Sequence, residues 1–139
     1  MVRKKNPGED MLKVTLIEDD PSMASLLSTL LTMEGYTVGI AENHNTQGLL
    51  QTILVERPQI VLIDAYLAKG SGLDLVRAIR QEAELEGTCI LMTSGLNLAE
   101  KSLRAGADGF IQKPFMPDDL TELIRHTYQQ SSKYQLQKE

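Results

Sequence analysis

Apolar residues fall into five short runs along the chain: Val14-Thr15-Leu16-Ile17, Tyr36-Thr37-Val38-Gly39-Ile40-Ala41, Ile60-Val61-Leu62-Ile63, Cys89-Ile90-Leu91-Met92 and Gly109-Phe110-Ile111-Gln112. Each has the length of a strand. The first, third and fourth are nearly continuous rather than alternating, as in strands covered on both faces, so a central parallel sheet is expected. Between the runs, apolar residues recur at helical spacing. The stripes are Met23, Leu27, Leu30 and Leu31; Leu50, Ile53 and Leu54; Leu73, Val76, Ile79 and Ala83; and Leu120, Leu123, Ile124 with Thr127. The segment Leu98 to Ala105 is weakly patterned and takes its helical assignment from its place between the last two strands.

Capping residues agree with these boundaries. Asp20 followed by Pro21 suits an N-cap and first helical residue, Gly35 lies just past the first helix, and Pro117-Asp118-Asp119 opens the last. Strands alternating with helices five times give an α/β chain of the (βα)5 kind. Right-handed crossovers then put helices on both faces of an open, doubly wound sheet.

Composition narrows the class. The chain has 139 residues, 42% of them hydrophobic and 24% charged, and a single domain of this size buries roughly 68–70% of its unfolded surface without a disulfide or metal staple. Cys89 is the only cysteine, which excludes a disulfide framework. No apolar run approaches the roughly 18–20 residues of a membrane span, and no apolar stretch follows Arg3, Lys4 and Lys5, so a soluble cytoplasmic protein is expected. The net charge of −5 argues against nonspecific nucleic-acid binding, which needs a surplus of Lys and Arg. Residues 1–10 read as a flexible N-terminal segment and 129–139 as a polar tail that ends a helix or is disordered. An N-terminal Met and unpatterned ends suit a complete chain better than an excised domain.

Polar residues collect where the strands should end: Glu18, Asp19 and Asp20, then Asp64, then Thr93 and Ser94, then Lys113. In open α/β sheets ligands bind outside the carboxyl ends of the strands. Glu18, Asp19 and Asp64 would repel one another unless compensated, and one Mg2+ with the Lys113 ammonium balances their charge. Hard oxygen donors favour Mg2+ over zinc, and Mg2+ is usually shared with phosphoryl oxygens. A carboxylate can itself be the nucleophile that becomes an aspartyl phosphate. Asp64, Lys113 and Thr93 fit the nucleophile, the cation and the hydroxyl donor. Taken singly, each has a plainer role: Asp19 a second cap, Asp64 a loop cap, Thr93 a turn hydroxyl, Phe110 core, and Lys113 a solvated lysine. His44 and His126 lack ligand-spaced partners and are expected at the surface. Gly70-x-Gly72 lacks the third glycine of a dinucleotide fingerprint and reads as a turn.

Together the motifs resemble the receiver domain of two-component response regulators. They are Leu16-Ile17-Glu18-Asp19-Asp20, Ile60-Val61-Leu62-Ile63-Asp64, Gly70-Ser71-Gly72-Leu73, Leu91-Met92-Thr93-Ser94, Ala105-Gly106-Ala107-Asp108-Gly109-Phe110 and Lys113-Pro114-Phe115, spread over residues 11–128. The resemblance implies a flavodoxin-like receiver fold with strand order 2-1-3-4-5. It also implies that Asp64 is the phosphoacceptor, that Glu18, Asp19 and Asp64 hold Mg2+ with the backbone carbonyl of Tyr66, and that Asp20 caps the first helix. Thr93 would be the switch hydroxyl, Phe110 the aromatic that swings inward behind it, and Lys113 the phosphoryl contact, with the Lys113–Pro114 bond cis.

The implied partners are a sensor histidine kinase or histidine phosphotransfer protein and a downstream protein. The downstream protein would meet a surface of the fourth helix, fifth strand and fifth helix. No direct nucleic-acid or membrane binding is expected, and phosphorylation-dependent homodimerisation is a further expectation. Such a chain is a signalling switch that catalyses only its own phosphotransfer and dephosphorylation. Three positions depart from the family pattern: Ala68 stands where proline is usual, the stretch from Thr93 to Lys113 is slightly short, and Ser94 replaces the commoner Ala or Gly. Two rivals are weighed against this reading. A pseudo-receiver keeps the fold without using phosphate. An aspartate-nucleophile phosphatase wants a second acid where Tyr66 stands, and a cap for which no sequence remains.

Overall fold

The computed structural model describes residues 12–41 and 44–138, so the expected N-terminal segment lies outside the described residues. The elements are β1 (Lys13–Ile17), α1 (Pro21–Met33), β2 (Thr37–Ala41), α2 (Thr46–Glu56), β3 (Ile60–Asp64), α3 (Gly72–Arg80), β4 (Cys89–Ser94), α4 (Ala99–Ala105), β5 (Gly109–Gln112) and α5 (Pro117–Lys138). A small antiparallel hairpin, Tyr66–Leu67 against Gly70–Ser71, fills the β3–α3 connection. The five strands form one parallel sheet in the order β2-β1-β3-β4-β5.

Two hydrophobic layers flank the sheet, and strand pleating decides which residues serve each. Val14 and Leu16, Ile60 and Leu62, and Cys89 and Leu91 pack with Leu27 and Leu31 of α1 and Leu120 and Ile124 of α5. Ile17, Val61, Ile63, Ile90 and Met92 point the other way, onto Leu50 and Ile53 of α2 and Leu75, Val76 and Ile79 of α3. β3 and β4 are covered on both sides, which is why their sequences do not alternate. Each such buried Leu or Ile contributes about 1.5–3 kcal/mol.

Local signals place the helix ends. The Asp20 carboxylate accepts the Ser22 N–H at 3.1 Å, with Pro21 opening α1. Gly35 beyond α1 has φ 98°, a backbone conformation that costs glycine little. α2 is capped by Asn45, whose side chain accepts the Gly48 N–H, and ends at Arg57 just before Pro58. The expected third stripe is corrected at its end. α3 stops at Arg80, Ala83 is exposed in a separate 3-10 turn, and Leu85, 2% exposed, fills the core instead because its larger side chain reaches it. The backbone stays helical through Lys138.

Candidate functional site

Pleat and register bring the site together. Leu16, Leu62 and Leu91 lie side by side across β1, β3 and β4 in the layer facing α1 and α5. Two residues further on, the same side of the pleat carries Glu18, Asp64 and Thr93, and Lys113 stands two residues beyond Ile111, the β5 partner of Thr93. Each strand thus continues its buried apolar side into a polar residue at its carboxyl end. That placement follows from period-two geometry alone.

Lys113 joins two of the acids. Its Nζ donates to Glu18 Oε1 at 2.8 Å and to Asp64 Oδ2 at 3.0 Å. Asp64 Oδ1 accepts the Tyr66 N–H at 3.1 Å, and Glu18 Oε2 accepts the Asp20 N–H at 3.3 Å. Glu18 is buried, and burial raises its pKa above the ordinary carboxylate value; the neighbouring Asp64 charge adds to this and the Lys113 hydrogen bond opposes it. Burial alone would lower the Lys113 pKa. The hydrogen bonds and charges of Glu18 and Asp64 outweigh it, so the ammonium is held above its usual range.

The remaining residues take distinct places. Asp19 turns to the hairpin, where its Oδ2 accepts the Ala68 N–H. Thr93 is buried opposite Asp64, and its carbonyl accepts the Ala65 N–H at 2.8 Å. Ser94 Oγ accepts the Leu96 N–H at 3.1 Å. Phe110 is register partner of Met92, on the other side of the pleat from Thr93, and packs half-buried against the layer beneath α2 and α3. Tyr66 is 61% exposed. The Lys113–Pro114 peptide is cis, as the resemblance implies. His44 and His126 are exposed, as expected. Cys89 is buried, and that burial, reinforced by Asp108, pushes its thiol up to about 12.

The donor chemistry suits a hard cation. Glu18, Asp19 and Asp64 are carboxylates at one rim, with the Tyr66 carbonyl nearby in the chain. Mg2+ commonly takes one or two carboxylates and keeps waters in its other positions. Among the described residues, however, no three acidic, imidazole or thiol side chains are already gathered as a metal cage. Asp19 is engaged with the hairpin while Glu18 and Asp64 share Lys113.

Two further features escape the sequence patterns. A Cβ on Gly72 would lie 2.2 Å from the Asp64 carbonyl oxygen and 2.8 Å from Ala65 Cα, so α3 begins against the backbone of Asp64 and only glycine fits. The paired glycines were the visible signal, although a turn was the expectation. Arg80 donates to Gly106 O at 2.7 Å, Thr88 O at 2.9 Å and Asp108 Oδ2 at 2.7 Å, and the same Asp108 oxygen accepts the Ile90 N–H at 2.8 Å. Nothing in sequence spacing joins these groups.

Comparison with known proteins places this site in a family. Residues 14–125 match the model of the response regulator receiver domain. The chain is 36% identical over 123 residues to the transcriptional regulatory protein DltR of Streptococcus agalactiae, covering 87% of this chain and 54% of that protein. It is 34% identical over 116 residues to the transcriptional regulatory protein CpxR of Escherichia coli, covering 83% and 48%. The chain therefore spans about half the length of these curated relatives. Among solved structures, a CheY-like response regulator receiver domain protein from Methanospirillum hungatei is similar with TM-score 0.79 and 28% identity, over 89% of this chain and 98% of that one. Chemotaxis response regulator CheY4 of Vibrio cholerae is similar with TM-score 0.77 and 25% identity, over 84% and 98%. The chain belongs to the response regulator receiver domain family of two-component signalling. Its flavodoxin-like sheet has the receiver strand order 2-1-3-4-5. No helix among the described residues is long and apolar enough to cross a membrane.

Proposed function

We propose that Asp64 is the phosphoacceptor of this receiver, taking its phosphoryl group from a phosphohistidine of a sensor kinase or histidine phosphotransfer protein. A carboxylate oxygen of Asp64 attacks phosphorus, the P–N bond breaks, the imidazole leaves, and an acyl phosphate remains. The observation that carries this reading is the hold on Asp64, with Oδ1 on the Tyr66 N–H and Oδ2 on Lys113 Nζ at the open end of β3. Lys113 already neutralises this oxygen, and its ammonium stays protonated to meet the incoming phosphoryl charge. A Mg2+ ion held by Glu18, Asp19, Asp64 and the Tyr66 carbonyl would supply the remaining positive charge. Thr93 donates its hydroxyl to the phosphoryl group, and Phe110, on the other side of the pleat, swings inward in response. This biases a pre-existing equilibrium of the surface formed by α4, β5 and α5. Exposed Leu96 and Leu103 give that surface apolar area for a protein partner or a second copy. Tyr66, exposed beside the acceptor, shields the acyl phosphate from water.

We propose further that this segment does not itself bind nucleic acid, since its net charge is −5. The relatives named as transcriptional regulators are about twice as long, and such an output would reside in sequence beyond the matched half. The deciding experiment is intact-protein mass spectrometry after incubation with acetyl phosphate, with and without Mg2+, on wild type and Asp64→Asn. A Mg2+-dependent gain of one phosphoryl mass, lost in the variant, is expected. No adduct, with beryllofluoride also leaving the protein unperturbed, would identify a pseudo-receiver instead.

A further inference from the structure

We infer that the backbone N–H of Ala68 is a latch on the acidic pair: it holds the Asp19 carboxylate at the hairpin, and a divalent cation must draw Asp19 off that hydrogen bond to bind beside Asp64. This rests on the metal-dependent reading above and adds a positioning residue to it.

The hairpin turn leaves the Ala68 N–H outside its ladder. Leu67 pairs with Gly70, so Ala68 and Lys69 form a two-residue turn, and the N–H of its first central residue is not used by the ladder. Arg57 is the only non-glycine with positive φ among the described residues. Ala68 and Lys69 therefore have negative φ, unlike the primed turns that match strand twist, which fits a hairpin only two residues long on each side. The Ala68 N–H points to Asp19 Oδ2. Its effect on the site is visible in the charges, because Asp19 is tied to the hairpin while Glu18 and Asp64 are bridged by Lys113. A proline at position 68 has no N–H to offer. The turn position nevertheless accepts one, since φ is negative there and the preceding Leu67 is extended.

The inference is tested by calorimetric titration of the full chain with MgCl2, for wild type, Ala68→Pro and Ala68→Gly, together with amide exchange at Ala68 followed by NMR in wild type. Proline should tighten Mg2+ binding about three- to tenfold, the worth of one hydrogen bond at a solvent-exposed site. Glycine, which keeps the N–H, should stay within about twofold. In wild type, saturating MgCl2 should speed exchange of the Ala68 amide. Binding by the proline variant alone would also support the latch. Equal or weaker binding by a folded proline variant would overturn the latch and leave the metal site standing, whereas absence of binding in both would overturn both. Should the proline variant fail to fold, unchanged or slowed exchange at Ala68 on adding MgCl2 to wild type would overturn the latch by itself.

Discussion

Arg80 and Lys113 both join distant segments through charge, and they do so in opposite ways. Arg80 spreads its planar fork over two carbonyls and one carboxylate, and Asp108 in turn accepts a backbone N–H, so every charge has a fixed partner. Lys113 meets two carboxylates with one ammonium, while a third acid, Asp19 beyond β1, is tied to the hairpin. The first arrangement is balanced, with each charge set against a partner of the fold. The second is short of positive charge, and burial of Glu18 sharpens the shortage. A basic side chain among acids is therefore read by its balance: saturated pairs hold the fold, and unbalanced ones await a reactant.

Replacing the two cations should separate these roles. Lys113→Met should slow phosphorylation by acetyl phosphate by about a hundredfold, as removal of one donor to a developing charge does. Its melting temperature should change little, because the carboxylate of Asp64, at the open end of β3, can take up solvent in place of the ammonium. A large fall in melting temperature with unimpaired phosphorylation would erase the distinction. Arg80→Ala should do the reverse, losing about 2–4 kcal/mol in denaturant unfolding by stranding part-buried carbonyls and Asp108. The folded fraction should still be phosphorylated.

Cys89, in the core beside the Arg80–Asp108 group, provides a smaller effect that depends on pH. Its thiol ionises at about 12 in the folded chain against an ordinary 9. Between these values the unfolded chain binds fewer protons, so stability is full below 9 and falls as pH rises. From pH 8 to 10 wild type should lose about 1 kcal/mol more than Cys89→Ala. Equal losses would place the thiol in contact with solvent. The smallest effect is expected on α4, where the buried Ser102 hydroxyl has no hydrogen-bond partner. Ser102→Ala should stabilise the protein by about 0.5 kcal/mol, measured by chemical unfolding, and a loss would reveal a partner for the hydroxyl.

The fold and the site differ in how far the sequence discloses them. Continuous runs such as Ile60–Ile63 disclose two-sided burial, and helical stripes such as Leu27 with Leu31 disclose the layer they face, because both depend on short-range periodicity. The rim residues Glu18, Asp64, Thr93 and Lys113 were legible for the same reason, each following an apolar run at a strand end. Ala83 misled because a four-residue spacing continues the helical period whether or not the helix does. Arg80 was silent, and Ala68 and Gly72 were visible only as a departure from the family pattern and as a turn, because their roles are set by backbone groups of other segments, and backbone atoms carry no sequence signature. Phe110 could be named from the family pattern, but only the register of β4 with β5 places it across the sheet from Thr93.

The shared side of the pleat has a consequence for the fidelity of folding. Were β3 to pair with its neighbours one residue out of step, Ile63 would replace Asp64 at the rim and the acid would turn into the layer built by α2 and α3. Lys113 could not reach it there, and an unpaired carboxylate in that layer would cost several kcal/mol. The residue proposed to receive the signal thus also proofreads the sheet that carries it.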